Sequence, residues 1–338
     1  MWTEEKLDEL LSTPSDVLVE DIKKIKGDIM VLGAGGKMGP SLCLLAKRAI
    51  EKAGIQKKVI AVSRFSDPIA TKLLTDNGIE IISADLQNRE QFDALPLCEN
   101  VIFMAGKKFG TDGNEWATWG MNATLPAFVA EKYKASNIVV FSSGNTYPIV
   151  PVNQGGCREC DKQGPIGEYA MSCLARERAF EYGANTFGTK VFIYRLNFAV
   201  DLRYGVLYDL ADNIINKRPI SLSTPLFNFI WQGSANEIAI RGLLHAECPA
   251  KKVNVTGPET VSIRKAAQEL GEYLGIEPIF ENEEGNDAYL NDASLAMEMF
   301  GYPSVSAKTL IRWQAEWIKD GGRGLGKPTH FEERKGAY

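Results

Sequence analysis

The sequence predicts an α/β fold, a doubly wound parallel sheet with a smaller C-terminal α/β lobe for substrate, and three observations predict it. Short apolar runs, almost free of polar residues, recur between Asp28 and Arg195. Segments of helical character separate them, the rhythm of strands buried on both faces and joined by crossover helices. The first run ends in a glycine-rich turn, Gly33-Ala34-Gly35-Gly36-Lys37-Met38-Gly39, that opens a helix over residues 37–53.

In chain order, residues 1–26 read as an N-terminal helical extension. Its two short helices part at Ser12-Thr13-Pro14-Ser15, where a hydroxyl cap and a proline start a new helix. They are expected to serve packing or dimer contact. Residues 27–200 carry six strand-like runs: Ile29-Met30-Val31-Leu32, Val59-Ile60-Ala61-Val62, Ile79-Glu80-Ile81-Ile82, Val101-Ile102-Phe103-Met104, Ile138-Val139-Val140-Phe141 and Val191-Phe192-Ile193-Tyr194. After Arg195 the rhythm loosens: a helix over 204–217, extended chain over 219–231, a helix over 235–246, a strand at Val253-Asn254-Val255, a helix over 262–274 and a strand near Ile279-Phe280. Residues 201–338 are therefore assigned to the lobe and tail, with interleaving of the two units left open.

Composition narrows the function classes. Among 338 residues, 45% are hydrophobic and 24% charged, an ordinary soluble balance. No apolar run approaches the ~20 residues that span a bilayer, and the charged start Met1-Trp2-Thr3-Glu4-Glu5-Lys6 is unlike a secretory signal. A cytoplasmic protein with no membrane partner is expected. A net charge of −5 argues against nucleic acid. Six cysteines without an export signal read as reduced thiols. Cys157-Arg158-Glu159-Cys160 has metal-site spacing, but no second pair follows and the chain has two histidines, so a surface loop is expected and no metal.

Gly33, Gly36 and Gly39 each suit one task of a dinucleotide loop: a tight turn, close approach of backbone to pyrophosphate, and close packing of helix on strand. The fold is accordingly Rossmann-like, with Lys37 and Met38 beside the phosphates at the helix start. At the end of the second run, Ser63 and Arg64 replace the acidic residue that would hold ribose hydroxyls. A hydroxyl and a guanidinium favour a 2′-phosphate, so NADP is expected over NAD. Asp85 and Leu86 would flank adenine, and Met104, Ala105 and Gly106 would lie along the cofactor.

Downstream stand Ser142-Ser143-Gly144-Asn145-Thr146-Tyr147-Pro148 and then Tyr169-Ala170-Met171-Ser172-Cys173. With the glycine turn before them, these residues resemble the extended short-chain dehydrogenase/reductase family, the NAD(P)-dependent epimerases and dehydratases of sugars, over roughly residues 28–260. Asn122 falls on that family's helix asparagine, which the resemblance implies lies against the cofactor, Ser143 on its serine, Tyr169 on its tyrosine, and Arg195-Leu196-Asn197 on the segment ending the sixth strand. Asn254-Val255-Thr256-Gly257-Pro258 is similar to a further segment of the family. The resemblance implies that Tyr169 moves a proton on a substrate hydroxyl while hydride passes to or from nicotinamide, with Ser143 holding the same oxygen. Asn145, Thr146, Asn197 and Trp231 are the substrate-facing candidates, Trp231 from the segment Phe229 to Asn236.

One departure is chemical. Where the family carries lysine, one helical turn beyond the tyrosine, this chain has Cys173. A neutral thiol cannot lower the tyrosine pKa as an ammonium does, and Arg176, Arg178, Lys107 and Lys108 are open as substitutes. The leading expectation is an NADP-preferring oxidoreductase or epimerase acting by hydride transfer on a sugar, sugar nucleotide or sugar acid, possible as a homodimer. The alternative is an NADP-binding sensor or scaffold with little or no catalysis. The tail Gly326-Lys327-Pro328-Thr329-His330-Phe331-Glu332 is expected to fold over the site or a partner subunit.

Overall fold

A computed structural model of the chain describes residues 1–336. Seven parallel strands form the central sheet: β1 (Ile29–Leu32), β2 (Val59–Ser63), β3 (Glu80–Ser83), β4 (Asn100–Phe103), β5 (Asn137–Ser143), β6 (Lys190–Leu196) and β7 (Lys251–Val255). They lie in the order β7-β6-β5-β4-β1-β2-β3. The order reverses between β1 and β4, and ligands of open α/β sheets bind in the crevice at such a reversal. Successive residues of β1 serve opposite faces. Ile29 and Val31 join one core with Leu42, Leu45 and Ala239, while Met30 and Leu32 join another with Phe92, Val129 and Phe180. All four are fully buried, which is why the run carries no polar residue.

The helices are α1 (Glu4–Ser12), α2 (Asp16–Lys24), α3 (Gly39–Lys52), α4 (Pro68–Asp76), α5 (Arg89–Asp93), α6 (Glu115–Trp119), α7 (Leu125–Lys132), α8 (Gly167–Phe187), α9 (Val206–Ile215), α10 (Gln232–Arg241), α11 (Ile263–Leu274), α12 (Ser294–Phe300) and α13 (Ala307–Lys319). The side chains of Thr3 and Ser15 cap α1 and α2 by accepting from the amides of Lys6 and Leu18. These two helices join the units of the chain. α1 packs against α3 and α10, and the Trp2 indole meets the Trp313 ring edge-on at 5.3 Å and donates to Glu316.

The lobe has its own core, in which Leu210 of α9, Ile263 and Leu270 of α11 and Trp317 of α13 meet Leu7 and Leu11 of α1. Short ladders brace it, among them 226–228 with 260–262 and 199–200 with 230–231. The division at residue 200 is not spatial. β7, placed by sequence in the lobe, pairs with β6 along Lys251–Val255 and completes the main sheet, so residues 201–250 form an excursion that returns. The C-x-x-C segment is a loop with Cys160 exposed, as expected, but Cys157 is buried. No helix among the described residues is long and apolar enough to cross a membrane.

Candidate active site

Strand register assembles the site. Leu32 pairs with Phe103, and Ser143 pairs with Leu196, so the carboxyl ends of β1, β4, β5 and β6 share one edge. The residues after those ends, the glycine turn, Met104 with Gly106, and Asn197, line a cleft of about 440 Å³ together with Ser143, Asn145 and Tyr169.

Gly33 turns the chain at φ +94°, and a Cβ there would lie 2.5 Å from the Ala105 nitrogen. A Cβ on Gly39 would lie 2.1 Å from the Ala34 carbonyl oxygen, so α3 approaches the turn only because that position is bare. Helix α3 starts at Gly39, two residues later than the sequence suggests, because residues 33–38 are taken up by the turn. Among the described residues the amides of Gly35, Lys37 and Met38 donate to no backbone carbonyl. This bare turn with donors at the cleft fits a dinucleotide pyrophosphate. Ser41 steadies the turn by donating to the Met38 carbonyl (3.0 Å) and is itself held by Gln232 (3.0 Å) and Asn236 (2.9 Å) from α10.

The other cofactor candidates distribute around this turn. Ser63 ends β2 beside it, close enough that a Cβ on Gly35 would lie 2.6 Å from the Ser63 hydroxyl, and Arg64 follows in the exposed loop. Asp85 turns back to accept from the Gln87 amide (3.0 Å), and Leu86 and Ala105 are buried in the core. Asn122 does not line the cleft. Fully buried, it accepts from the Lys107 amide (2.9 Å) and Arg176 (2.7 Å) and donates to the Lys107 carbonyl (2.8 Å) and Ser172 (3.0 Å). Its amide is spent on fixing the loop after β4, which corrects the expectation that it touches cofactor.

Helix α8 carries Tyr169, Cys173, Arg176 and Glu177 along one face. Ser143 and Cys173 both hydrogen-bond the Tyr169 side chain. Burial pushes the Tyr169 phenol well above its ordinary value of 10, and Cys173 adds to that, against the lowering effects of Arg176 and Ser143. Cys173 is fully buried, and loss of hydration raises its thiol despite the opposing field of Arg176. The thiol therefore sits neutral behind the tyrosine.

Of the four substitute cations, two face the tyrosine. The buried Arg176 guanidinium donates to the Phe141 carbonyl (2.7 Å) and Asn122 and lines the cleft. The Lys108 Nζ stands 5.8 Å from the centroid of the Tyr169 ring and donates to the Thr329 carbonyl (3.2 Å). Arg178 turns away to Gln163 and Glu181, and Lys107 does not line the cleft.

Behind Ser143 lies a buried ion pair. Arg195 donates to both carboxylate oxygens of Glu177 (3.0 and 2.8 Å) and to Tyr147, while Ser142 donates to Glu177 (2.5 Å). Tyr147 donates to Asn254 (2.9 Å), whose side chain reaches the Cys157 carbonyl. Arg195 and Asn254 thus clamp the serine segment to β6 and β7.

Of the substrate candidates, Asn145 and Asn197 line the cleft, and Asn197 donates to Asn228 (2.9 Å). Thr146 does not: fully buried, its hydroxyl donates to the Ser143 carbonyl (3.0 Å). Trp231 also points away, into the lobe against Trp313, and Gln232 faces the cleft in its place. Trp231 closes the short extended segment and Gln232 opens α10, so the residue that reaches the cleft is the first of the helix. Sequence reasoning missed Phe109 and Tyr204, which carry no motif.

The tail crosses the cleft. The Leu325 amide donates to the Arg203 carbonyl (3.0 Å), the Thr329 amide donates to Asp209 (2.8 Å), and Arg334 binds Asp287. Lys327 and Thr329 line the cavity, Phe331 is buried in the lobe, and Gly336 packs on Gly167 at the start of α8.

Three solved structures are similar over 87% of this chain and 99% of theirs: UDP-glucuronic acid 4-epimerase from Bacillus cereus in complex with NAD (18% identity, TM-score 0.69), UDP-glucose 4-epimerase with UDP-glucose from Thermotoga maritima (16%, 0.70) and a UDP-galactose 4-epimerase (20%, 0.68). At these identities they attest the fold. A search of curated protein sequences finds no significant match. The model of the NAD dependent epimerase/dehydratase family matches residues 29–200, from β1 to just past the end of β6 and so through the glycine turn, Ser143, Tyr169 and Asn197. The chain belongs to the NAD dependent epimerase/dehydratase family.

Proposed function

We propose that the protein is an NAD(P)-dependent enzyme that acts on a hydroxyl-bearing carbon of a sugar, sugar nucleotide or sugar acid. The observation that carries this reading is the convergence of Ser143, Tyr169 and Asn197 on one cleft with the glycine turn. A bound nicotinamide would supply or accept the hydride. Ser143 and Tyr169 would hold the substrate oxygen between two hydroxyls, and Tyr169 would exchange its proton with that oxygen. Arg176 and Lys108 would take over from the missing lysine, because their charges favour the phenolate that burial resists. Asn145 and Asn197 would orient the substrate.

NADP is the favoured form of the cofactor. No carboxylate ends β2, and the exposed Arg64 follows Ser63 there. The sugar-nucleotide ligands of the similar structures make UDP-sugars part of the substrate panel.

The test combines NADP⁺ and NAD⁺ titrations with a screen of sugars, sugar acids and UDP-sugars, read by 340-nm absorbance and by NMR for epimerisation. Tyr169→Phe is expected to lower turnover about 10²–10⁴-fold with cofactor affinity retained, and unchanged turnover refutes the role. A second reading, a cofactor-binding sensor, is favoured by the tyrosine's raised pKa beside a neutral thiol. Saturable cofactor binding without turnover across the panel selects it.

A further inference from the structure

We propose that Lys37, Lys108 and Lys327 together form a receptor for an anionic group on the substrate, a carboxylate or a phosphate, with the C-terminal tail supplying the third arm. The proposal rests on reading the cleft as the substrate site, and deepens it. The three lysines come from unrelated segments, the glycine turn, the loop after β4 and the tail, and all line the same cavity. Lys37 does not lie along the turn but stands over the rings of Tyr204 (3.3 Å) and Phe109 (4.9 Å).

The nearby carboxylates are engaged elsewhere. Asp201 accepts from the Arg203 amide (2.6 Å) and Asp209 from the Thr329 amide (2.8 Å) and hydroxyl. Among the described residues no carboxylate lies within 4.0 Å of the Lys37 or Lys327 ammonium. Burial, with repulsion from Lys108 and Lys327, lowers Lys37 to about 7. Burial lowers Lys108 to about 8. Lys37 also faces Asp201, Asp209 and Tyr204, and Lys108 faces Tyr169, Cys173, Asp209 and Glu332. An anion among these amines relieves the repulsion and draws protons onto them, so binding takes up protons near neutral pH.

The experiment is calorimetric titration of the full chain, saturated with whichever of NADP⁺ or NAD⁺ binds tighter. Glucose, glucuronate and glucose 6-phosphate are compared at pH 7.5 in two buffers of different ionisation enthalpy. At least one anion is expected to bind roughly tenfold or more tightly than glucose, with net proton uptake, and which anion wins separates carboxylate from phosphate. Lys327→Gln, at the one arm outside the proposed catalytic machinery and the glycine turn, should erase about tenfold of that preference and leave cofactor affinity unchanged. Equal affinity for all three sugars, no binding of either anion, or a variant that weakens cofactor binding instead would overturn the proposal. Loss of turnover in Tyr169→Phe tests hydride transfer separately and does not depend on substrate charge.

Discussion

At Cys173 the sequence announces a missing lysine, and the structure changes what the absence means. The thiol is wholly enclosed, touching Tyr169 and lying in the field of Arg176. Cys173→Lys would therefore press a longer, charged chain into a space already served by Arg176 and Lys108. It is expected to lower both melting temperature and turnover, whereas Cys173→Ala should leave the fold within about 1–3 kcal/mol of wild type; thermal melts and a pH–rate profile check both. Glu177 offers a sharper stability test. It is fully buried with Arg195 at 1% exposure, so Glu177→Ala leaves an unpaired guanidinium and should cost about 3–5 kcal/mol in denaturant unfolding. Ser143 and Tyr169 were legible because their spacing is a motif. Glu177 was not, since a carboxylate on a helix is normally a solvated residue and only the fold reveals that it is enclosed.

At the level of elements, what could be read depended on whether a signal was local. The inner strands β1 and β4 stood out as apolar runs because both faces are covered, whereas β3 at the sheet edge is only partly covered, and β7 could be recognised only as a strand. Its pairing with β6 depends on the return of the 201–250 excursion, which no local pattern encodes. Trp231 shows the same limit in miniature: the segment was right and its facing was not, because the tryptophan cluster with Trp313 and Trp2 holds the ring in the lobe. The glycine turn is the local extreme. Gly39→Ala should abolish cofactor binding, as the new methyl would occupy the space of the Ala34 carbonyl, and a fluorescence titration with NADPH reads this directly. The tail is anchored at several points, one of them the pair of bonds from Thr329 to Asp209. Asp209→Asn weakens a charge-assisted bond, so limited proteolysis after α13 should become faster while the melting temperature changes little.

Across the whole molecule, the lysines of the cleft leave a mark on stability that needs no substrate to detect. The folded chain holds Lys37 at about 7 and Lys108 at about 8, against ~10.4 for an exposed lysine. Between pH 7 and those unfolded values the native state therefore binds fewer protons than the unfolded chain, and stability rises with pH. Buried thiols act in the opposite direction, but later. Burial pushes Cys43 to about 12 and Cys98 and Cys157 to about 11, so they oppose the trend only above the ordinary thiol value of ~8.5. His245, lowered by burial, and Asp209, raised by burial, act below pH 7. The window from pH 7 to 8.5 thus belongs to the two lysines, each fully released proton contributing about 1.4 kcal/mol per pH unit. Thermal melts of the ligand-free chain should show a rising midpoint across this window. In a Lys37→Met, Lys108→Met double variant the rise should flatten, and an unchanged slope would show that the amines are ordinarily charged in the native state.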